Sequence, residues 1–303
     1  MPLVDIEGRR LKVSNLDKVL YPAAGFTKAH VIDYYARVGR WMVPHLKDRP
    51  LTLKRYPDGV DAGSFFEKNA PSHAPEWVQT ARVEGSTSAT DFVLANDLPT
   101  LVWAANLAAL ELHPSLSRAP EMERPTMMVF DLDPGAPATL LECCQVAVVL
   151  RGMFEALKLE SFAKTSGGKG LQIYVPLNTA SVTYEDTKGF SREVAQLLEK
   201  QIPDLVVSNM KKELRVGKVL VDWSQNDEKK TTVAVYSLRA RERPTASAPV
   251  SWGEVEAALK ARRPERLVFE AAQVLERVER EGDLFAPTLK LRQKLPGLAT
   301  GRA

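Results

Sequence analysis

The stretch "VFDLDPG", Val129–Gly135, ends the apolar run Met127–Phe130 with two carboxylates one residue apart. In a strand, residues i and i+2 point to the same face, so Asp131 and Asp133 are expected side by side, roughly 6 to 7 Å apart. At the C-terminal end of a strand they would face a crevice. Two like charges repel by about 4 kcal/mol at 4 Å and an effective dielectric near 20. A divalent cation would relieve that repulsion through hard oxygen donors. Taken alone, D-x-D before Pro-Gly reads first as a turn. A third carboxylate changes the balance: "KVLVDW" sets Asp222 at the end of another apolar run, Val219–Val221. Three aspartates ending two strands can hold two Mg²⁺ or Mn²⁺ ions about 3.5 to 4 Å apart, the arrangement that serves in-line nucleotidyl transfer.

A partner for a triphosphate lies in "KTSGGKGLQIYV", Lys164–Val175. Its glycines let backbone N–H groups turn toward an anion, while Lys169 and the Ser166 hydroxyl reach it. The Walker A spacing is absent and a strand is expected to follow, so a plain hairpin is the competing reading. Arg239, closing "AVYSLR", and Arg215, in "KKELRVGK", complete a cationic clamp. His113, in "LELHPS", is expected to close a helical apolar segment, as a structural or a functional histidine. Phe65 and Phe66 are adjacent aromatics in a loop beside Gly63, Ser64, Glu67 and Lys68. They read as base-stacking residues, or as a loop pinned to the core by one ring.

The whole chain is permissive. Its 303 residues can bury a sizeable core, 45% are hydrophobic and 26% charged, and 41 Lys+Arg against 38 Asp+Glu leave a formal +3, too little to announce nucleic acid. The two cysteines, Cys143 and Cys144, exclude a disulfide framework and a four-thiolate zinc site. The N-terminus has no apolar signal region, and Asn106 and Glu111 interrupt the longest apolar stretch, Leu98–Leu112. A cytoplasmic, nucleoid-associated protein without a membrane span is expected.

Apolar spacing and caps predict helices over Lys28–Val43 after Thr27, from Asp97 to about Ala109, and over 139–157, Tyr184–Gln201, Ser251–Lys260 and Glu265–Arg280. Strands are expected at Leu51–Arg55, Phe92–Leu94, Met127–Asp131, Ser161–Thr165, Leu171–Val175, Leu205–Ser208, Lys218–Trp223 and Thr231–Ser237. "RERPTASAP" (241–249) reads as a linker. The alternation describes an α+β (mixed α/β) chain.

In order and context, "MVFDLDPG", "TSGGKGLQIYVP", "VDWSQN" and "YSLRAR" resemble the archaeo-eukaryotic primase superfamily. Within it they resemble the polymerase domain of bacterial ATP-dependent DNA ligase D. "SNLDKVLYPAAGFTKAHVIDYY" (14–35) and "LTLKRYPDGVDAGSFFEKNAP" (51–71) extend the likeness over nearly the whole chain. The resemblance implies a primase-type catalytic core with two mixed β-sheets flanked by helices. One catalytic domain of two interlocked lobes would span residues 1–295, with a frayed tail over 296–303. It implies that Asp131, Asp133 and Asp222 bind two catalytic Mn²⁺ or Mg²⁺ ions. Ser166, Lys169, Arg239, His113 and Lys54 would hold the nucleotide, with Arg215 and Gln225 nearby. Phe65 and Phe66 would stack on the template and incoming bases, and Lys18 and Lys28 would grip the 5′-phosphate across a gap.

The implied activity is template-dependent gap filling and end processing in non-homologous end joining, with a preference for ribonucleotides over deoxyribonucleotides. The implied partners are gapped or broken DNA, NTP or dNTP, a Ku-type end-binding protein and a ligase. The ligase signature K-x-D-G is absent, since "KRYPDG" (54–59) has the wrong spacing. An excised domain and a stand-alone paralogue working in excision repair both remain open. A haloacid-dehalogenase-type phosphatase, which also uses a strand-end D-x-D, and an inactive end-binding module are the readings from other classes.

Overall fold

The structure, a computed structural model, describes residues 2–85 and 88–296. In chain order the elements are β1 (Leu3–Ile6), β2 (Arg9–Lys12), β3 (Val19–Tyr21), β4 (Phe26–Thr27), α1 (Lys28–Leu46), β5 (Leu51–Arg55), β6 (Phe65–Glu67), β7 (Thr80–Val83) and β8 (Thr90–Val93). There follow α2 (Leu98–Asn106), β9 (Ala109–Pro114), β10 (Met127–Pro134), α3 (Leu140–Ala156), β11 (Phe162–Thr165), β12 (Leu171–Pro176) and α4 (Tyr184–Gln201). The remainder is β13 (Val206–Val207), β14 (Val219–Asp222), β15 (Pro249–Val250), α5 (Trp252–Ala261) and α6 (Ala271–Glu281). The chain is α+β, as expected. No described helix is long and apolar enough to cross a membrane.

The chain divides into two compact units, each assembled from separated segments. Unit 1 takes Met1–Met122, Thr231–Ala248 and Val268–Leu284, and unit 2 takes Glu123–Lys230, Pro249–Leu267 and Phe285–Ala303.

Unit 1 is organised by a five-stranded sheet in the order β6-β5-β8-β7, with β9 also paired to β5, and antiparallel throughout. Helix α1 begins at Thr27, whose side chain and that of His30 cap each other's backbone N–H groups. Its Val31, Tyr34, Tyr35, Val38 and Met42 are buried at helical spacing. The Tyr35 hydroxyl donates to Leu110 O at 2.7 Å and accepts from Leu238 N at 3.0 Å.

Unit 2 is built on a six-stranded sheet in the order β13-β14-β10-β12-β11-β15. It is mixed, because β13 runs parallel to β14 while every other pair is antiparallel. Of the two main sheets, then, this one alone is mixed. Phe130 of β10 meets Phe154 of α3 at 5.2 Å between ring centroids. Strand alternation therefore turns Asp131 and Asp133 away from α3. Beyond Asp222 the chain leaves β14, and a side chain replaces the lost strand: Asn226 accepts from Val129 N at 2.9 Å and donates to Val129 O at 2.7 Å. Cys143 and Cys144 pack in α3 as free, buried thiols.

Several expectations are corrected. The helix opened by Asp97 ends at Asn106, and Ala108 at φ +56° breaks it. His113 therefore lies on strand β9 instead of closing a helix. A strand buried on both faces shows the same unbroken apolar run as a buried helix. Phe65 and Phe66 belong to strand β6 rather than a loop. Residues Thr231–Ser237 form no strand: they bond to β9 through Ala234 N and Leu112 O at 2.8 Å, then turn at Tyr236 with φ +67°. The linker 241–249 is buried from Pro244 onward. The last helix begins at Ala271, after a 3₁₀ turn at Pro264–Leu267. Apart from Pro296, the tail expected over 296–303 lies outside the described residues.

Candidate active site

In unit 2 the sheet register sets four polar side chains in one line. Asp222 on β14 pairs with Asp131 on β10, Asp131 with Gln172 on β12, and Gln172 with Lys164 on β11. Residues directly opposite on neighbouring strands carry Cβ atoms about 4.5 to 5.5 Å apart. Asp133 shares the face two residues further along β10. Strand β10 continues through Pro134, so "DPG" belongs to a strand end rather than a turn.

Burial, with the charges of Asp133 and Asp222 beside it, pushes the Asp131 carboxyl up to about 7, against a hydrogen bond from Gln172 and the positive charge of Lys164. Its Oδ1 is buried and has no hydrogen-bond partner. Asp222 is held on both oxygens: Oδ1 accepts from Ser224 N at 2.9 Å and from the Ser224 hydroxyl at 2.6 Å, and Oδ2 from Gln225 Nε2 at 2.9 Å. Lys230 donates to the same Ser224 hydroxyl.

Among the described residues no three His, Cys, Asp or Glu side chains are drawn around one point. The fit to a divalent ion lies in the donors themselves. Three carboxylates on one face form the all-oxygen set suited to Mg²⁺ or Mn²⁺, and one buried carboxylate oxygen is orphaned.

The glycine loop closes on this face. Ser166 N donates to Gly170 O at 3.0 Å, closing the hairpin between β11 and β12. A Cβ at Gly170 would lie 2.3 Å from Leu132 O and 3.4 Å from Asp133 Oδ1, so only glycine lets the loop reach the aspartates. The Ser166 Oγ accepts from Gly168 N at 3.2 Å and Gly170 N at 3.1 Å, which spends two loop amides internally. Lys169, in the same loop, is exposed. Arg215 comes close because position 135 is glycine: a Cβ there would sit 1.9 Å from Arg215 O.

The remaining expected residues lie in unit 1. Register places Phe66 opposite Lys54 and Lys54 opposite Glu111, with His113 two residues from Glu111 on the same face. Lys54 Nζ lies 5.2 Å from the Phe66 ring, which meets His113 edge-on at 5.9 Å. Phe65 turns to the other face of β6, where Arg55 covers it at 5.2 Å. The two rings are 45% and 59% exposed, so neither pins the strand to the core.

Glu111 organises this cluster. Burial alone would raise its carboxyl, but His113, the Arg239 charge and Ala240 N–H outweigh that and hold it down at about 2. Oε2 faces His113 Nε2 at 3.0 Å; Oε1 accepts from Tyr56 OH at 3.3 Å and lies 3.4 Å from Arg239 Nε. Burial lowers the His113 pKa despite Glu111, with Arg239 and Lys54 acting in the same direction as burial. A neutral imidazole facing an ionised carboxylate carries its proton on Nε2, which leaves Nδ1 as an acceptor. Sequence reasoning missed Glu111, Lys164, Gln172 and Ser224. A lone Glu within the apolar run 107–112 and a Lys ending "FAK" were the available signals.

Lys28 is buried, donates to Ser14 Oγ at 3.3 Å and has its pKa lowered by burial and by the charges of Lys18 and Arg55. The Lys28 backbone N–H donates to Lys18 O at 2.8 Å, bringing the two lysines together, and Lys18 pairs with exposed Asp58 at 2.6 Å.

Glu111 carries the clearest pH signature. Its folded pKa is depressed from 4.5 to about 2, so its contribution is complete above about 4.5 and is lost as pH falls toward 2. Glu111→Gln should lower the unfolding free energy at pH 7 by about 3 kcal/mol, by conversion of that shift. In urea titrations the gap to wild type should narrow steadily below pH 4. A gap independent of pH between 7 and 2 would contradict the assignment.

The family model described as "LigD, primase-polymerase domain" matches residues 27–285. The chain is 42% identical over 280 residues to the multifunctional non-homologous end joining protein LigD of Mycolicibacterium smegmatis, covering 92% of this chain and 36% of that protein. It is 33% identical over 276 residues to the bifunctional non-homologous end joining protein LigD of Bacillus subtilis, covering 91% and 44%. It therefore spans less than half the length of either relative. Among solved structures, the polymerase domain of Mycobacterium tuberculosis ligase D in complex with DNA aligns with TM-score 0.86 and 40% identity, covering 92% of this chain and 98% of that one. With the family model matching residues 27–285 and relatives 33% and 42% identical over nine-tenths of its length, this chain belongs to the LigD primase-polymerase domain family.

Proposed function

We propose that this chain is a metal-dependent, template-directed nucleotidyltransferase that fills short gaps at broken DNA ends in non-homologous end joining. The observation that carries the reading is the pairing of Asp131 with Asp222 across neighbouring strands, with Asp133 on the same face. Likeness to relatives named for end joining, and to a polymerase domain solved with DNA, supports the pathway and the substrate.

Asp131, Asp133 and Asp222 would hold two Mn²⁺ or Mg²⁺ ions, which when bound activate the primer 3′-hydroxyl and neutralise the leaving pyrophosphate. Ser166 and Lys169 offer a hydroxyl and an ammonium to the triphosphate, with Arg239 and Arg215 as further cations. Gln225 steadies Asp222. His113, neutral and accepting at Nδ1, suits a sugar hydroxyl, which favours ribonucleotides. Lys54 and the exposed rings of Phe65 and Phe66 suit nucleotide and base contacts. Lys18 and Lys28 form a cationic pair for the 5′-phosphate across a gap. A Ku-type protein and a ligase are the partners this reading requires, and the cytoplasm, at the nucleoid, is the place.

Primer extension on a short-gap duplex with a downstream 5′-phosphate tests the reading. Wild type should add templated nucleotides with Mn²⁺ or Mg²⁺. Asp131→Asn or Asp222→Asn should slow addition by about a thousandfold, as expected for losing roughly 4 kcal/mol of Lewis-acid stabilisation, while DNA binding persists. Addition at wild-type rate by a folded Asp131→Asn protein would refute the assignment. No addition by wild type despite tight DNA binding would favour an inactive end-binding module.

Lys18→Ala with Lys28→Ala should remove the preference for a 5′-phosphorylated gap over a hydroxyl gap. It should also reduce the slope of log affinity against log salt by about one for each phosphate that is no longer neutralised. An unchanged preference would place the 5′-phosphate elsewhere.

A further inference from the structure

The line of side chains across unit 2 continues past the aspartates to a lysine that the proposed function leaves without a task. Lys164 is 1% exposed, deep in the sheet, where an unaccompanied ammonium is costly. Its Nζ donates to Gln172 Oε1 at 2.5 Å and lies 5.4 Å from the Tyr174 ring, and the Tyr174 hydroxyl donates to the same Oε1 at 3.4 Å. On its other side the sheet register sets Gln172 directly opposite Asp131.

A lysine only donates and an ionised carboxylate only accepts. Gln172 therefore has one workable orientation, with Oε1 toward Lys164 and Nε2 toward Asp131. Turning the amide over would set donor against donor at one end and acceptor against acceptor at the other. Asp131 Oδ1 is buried without a hydrogen-bond partner.

We propose that Lys164 is a positioning residue acting through Gln172: it fixes the direction of the Gln172 amide, so that Nε2 is turned toward the Asp131 carboxylate and orients it for a divalent cation. The inference rests on Asp131 being a metal ligand. Residues that orient metal ligands in this way typically change metal affinity or activity by 10- to 100-fold when lost.

The test is Mn²⁺ titration of the DNA-free protein, following the electron paramagnetic resonance signal of free Mn²⁺, beside kcat and KM for extension and a thermal melt. Lys164→Met should weaken Mn²⁺ binding about tenfold and lower kcat by a similar factor, with KM for primed DNA unchanged. Lys164→Arg, still a pure donor, should restore both. Lys164→Met combined with Gln172→Met should be no worse than either change alone, because both remove the same anchor. Wild-type Mn²⁺ affinity in folded Lys164→Met overturns the inference. If that variant fails to fold, wild-type affinity in the double variant does so instead. A melt lowered without any change in Mn²⁺ affinity also overturns it, since that marks a purely structural role. Asp131→Asn separates the two layers of argument. Should it bind Mn²⁺ as wild type does, the metal reading and this inference fall together; should it lose binding while the double variant keeps it, this inference alone falls.

Discussion

The repulsion between Asp131 and Asp222 governs unit 2. They face each other on β10 and β14 because register puts them there, and like charges directly opposite destabilise a sheet. A slip of one residue would relieve the contact, but it would also turn Phe130 and Leu132 out of the interface with α3. The apolar face thus enforces the charged one. Gly170 and Gly135 let two loops crowd against β10 where any side chain would collide with a carbonyl oxygen. Asn226 takes over the Val129 backbone groups once β14 has turned away to present Asp222. These features cost stability locally and make sense together if the carboxylates are kept near one another for a cation.

Unit 1 follows a different rule. Its buried acid, Glu111, is compensated within the protein by His113, Arg239, Tyr56 and a backbone N–H. A buried charge so fully satisfied is stable and ionised. Its effect is to fix the tautomer of His113 and the place of the Arg239 guanidinium, as the proposed nucleotide contacts require. In the aspartate cluster Asp131 Oδ1 is left without a partner, whereas Glu111 is satisfied on both oxygens. That contrast separates residues suited to bind a cation from residues suited to position others.

Much of this was legible in the sequence. The aspartates stood out because carboxylates at the ends of apolar runs violate the strand pattern, and the caps Thr27 and Asp97 marked helix starts correctly. β9 was misread because both its faces are buried, which erases the period of two. The segment 231–237 was misread because its apolar residues are buried by a turn beside β9 rather than by a ladder. Phe65 and Phe66 stood out as exposed aromatics, yet only the strand placed them on opposite faces. Lys164 and Gln172 were invisible as a pair. Eight residues apart on two strands, they meet only through register, and nothing in a linear pattern distinguishes a buried lysine from a solvated one.

The most direct test of the central claim is the anomalous diffraction of crystals soaked in Mn²⁺ with a non-hydrolysable nucleoside triphosphate. The account predicts two manganese peaks, both within coordination distance of Asp131, with Asp133 and Asp222 completing the protein ligands and Asp131 Oδ1 among the coordinating atoms. Manganese bound elsewhere, with the three aspartates uncoordinated in the presence of nucleotide, would contradict it.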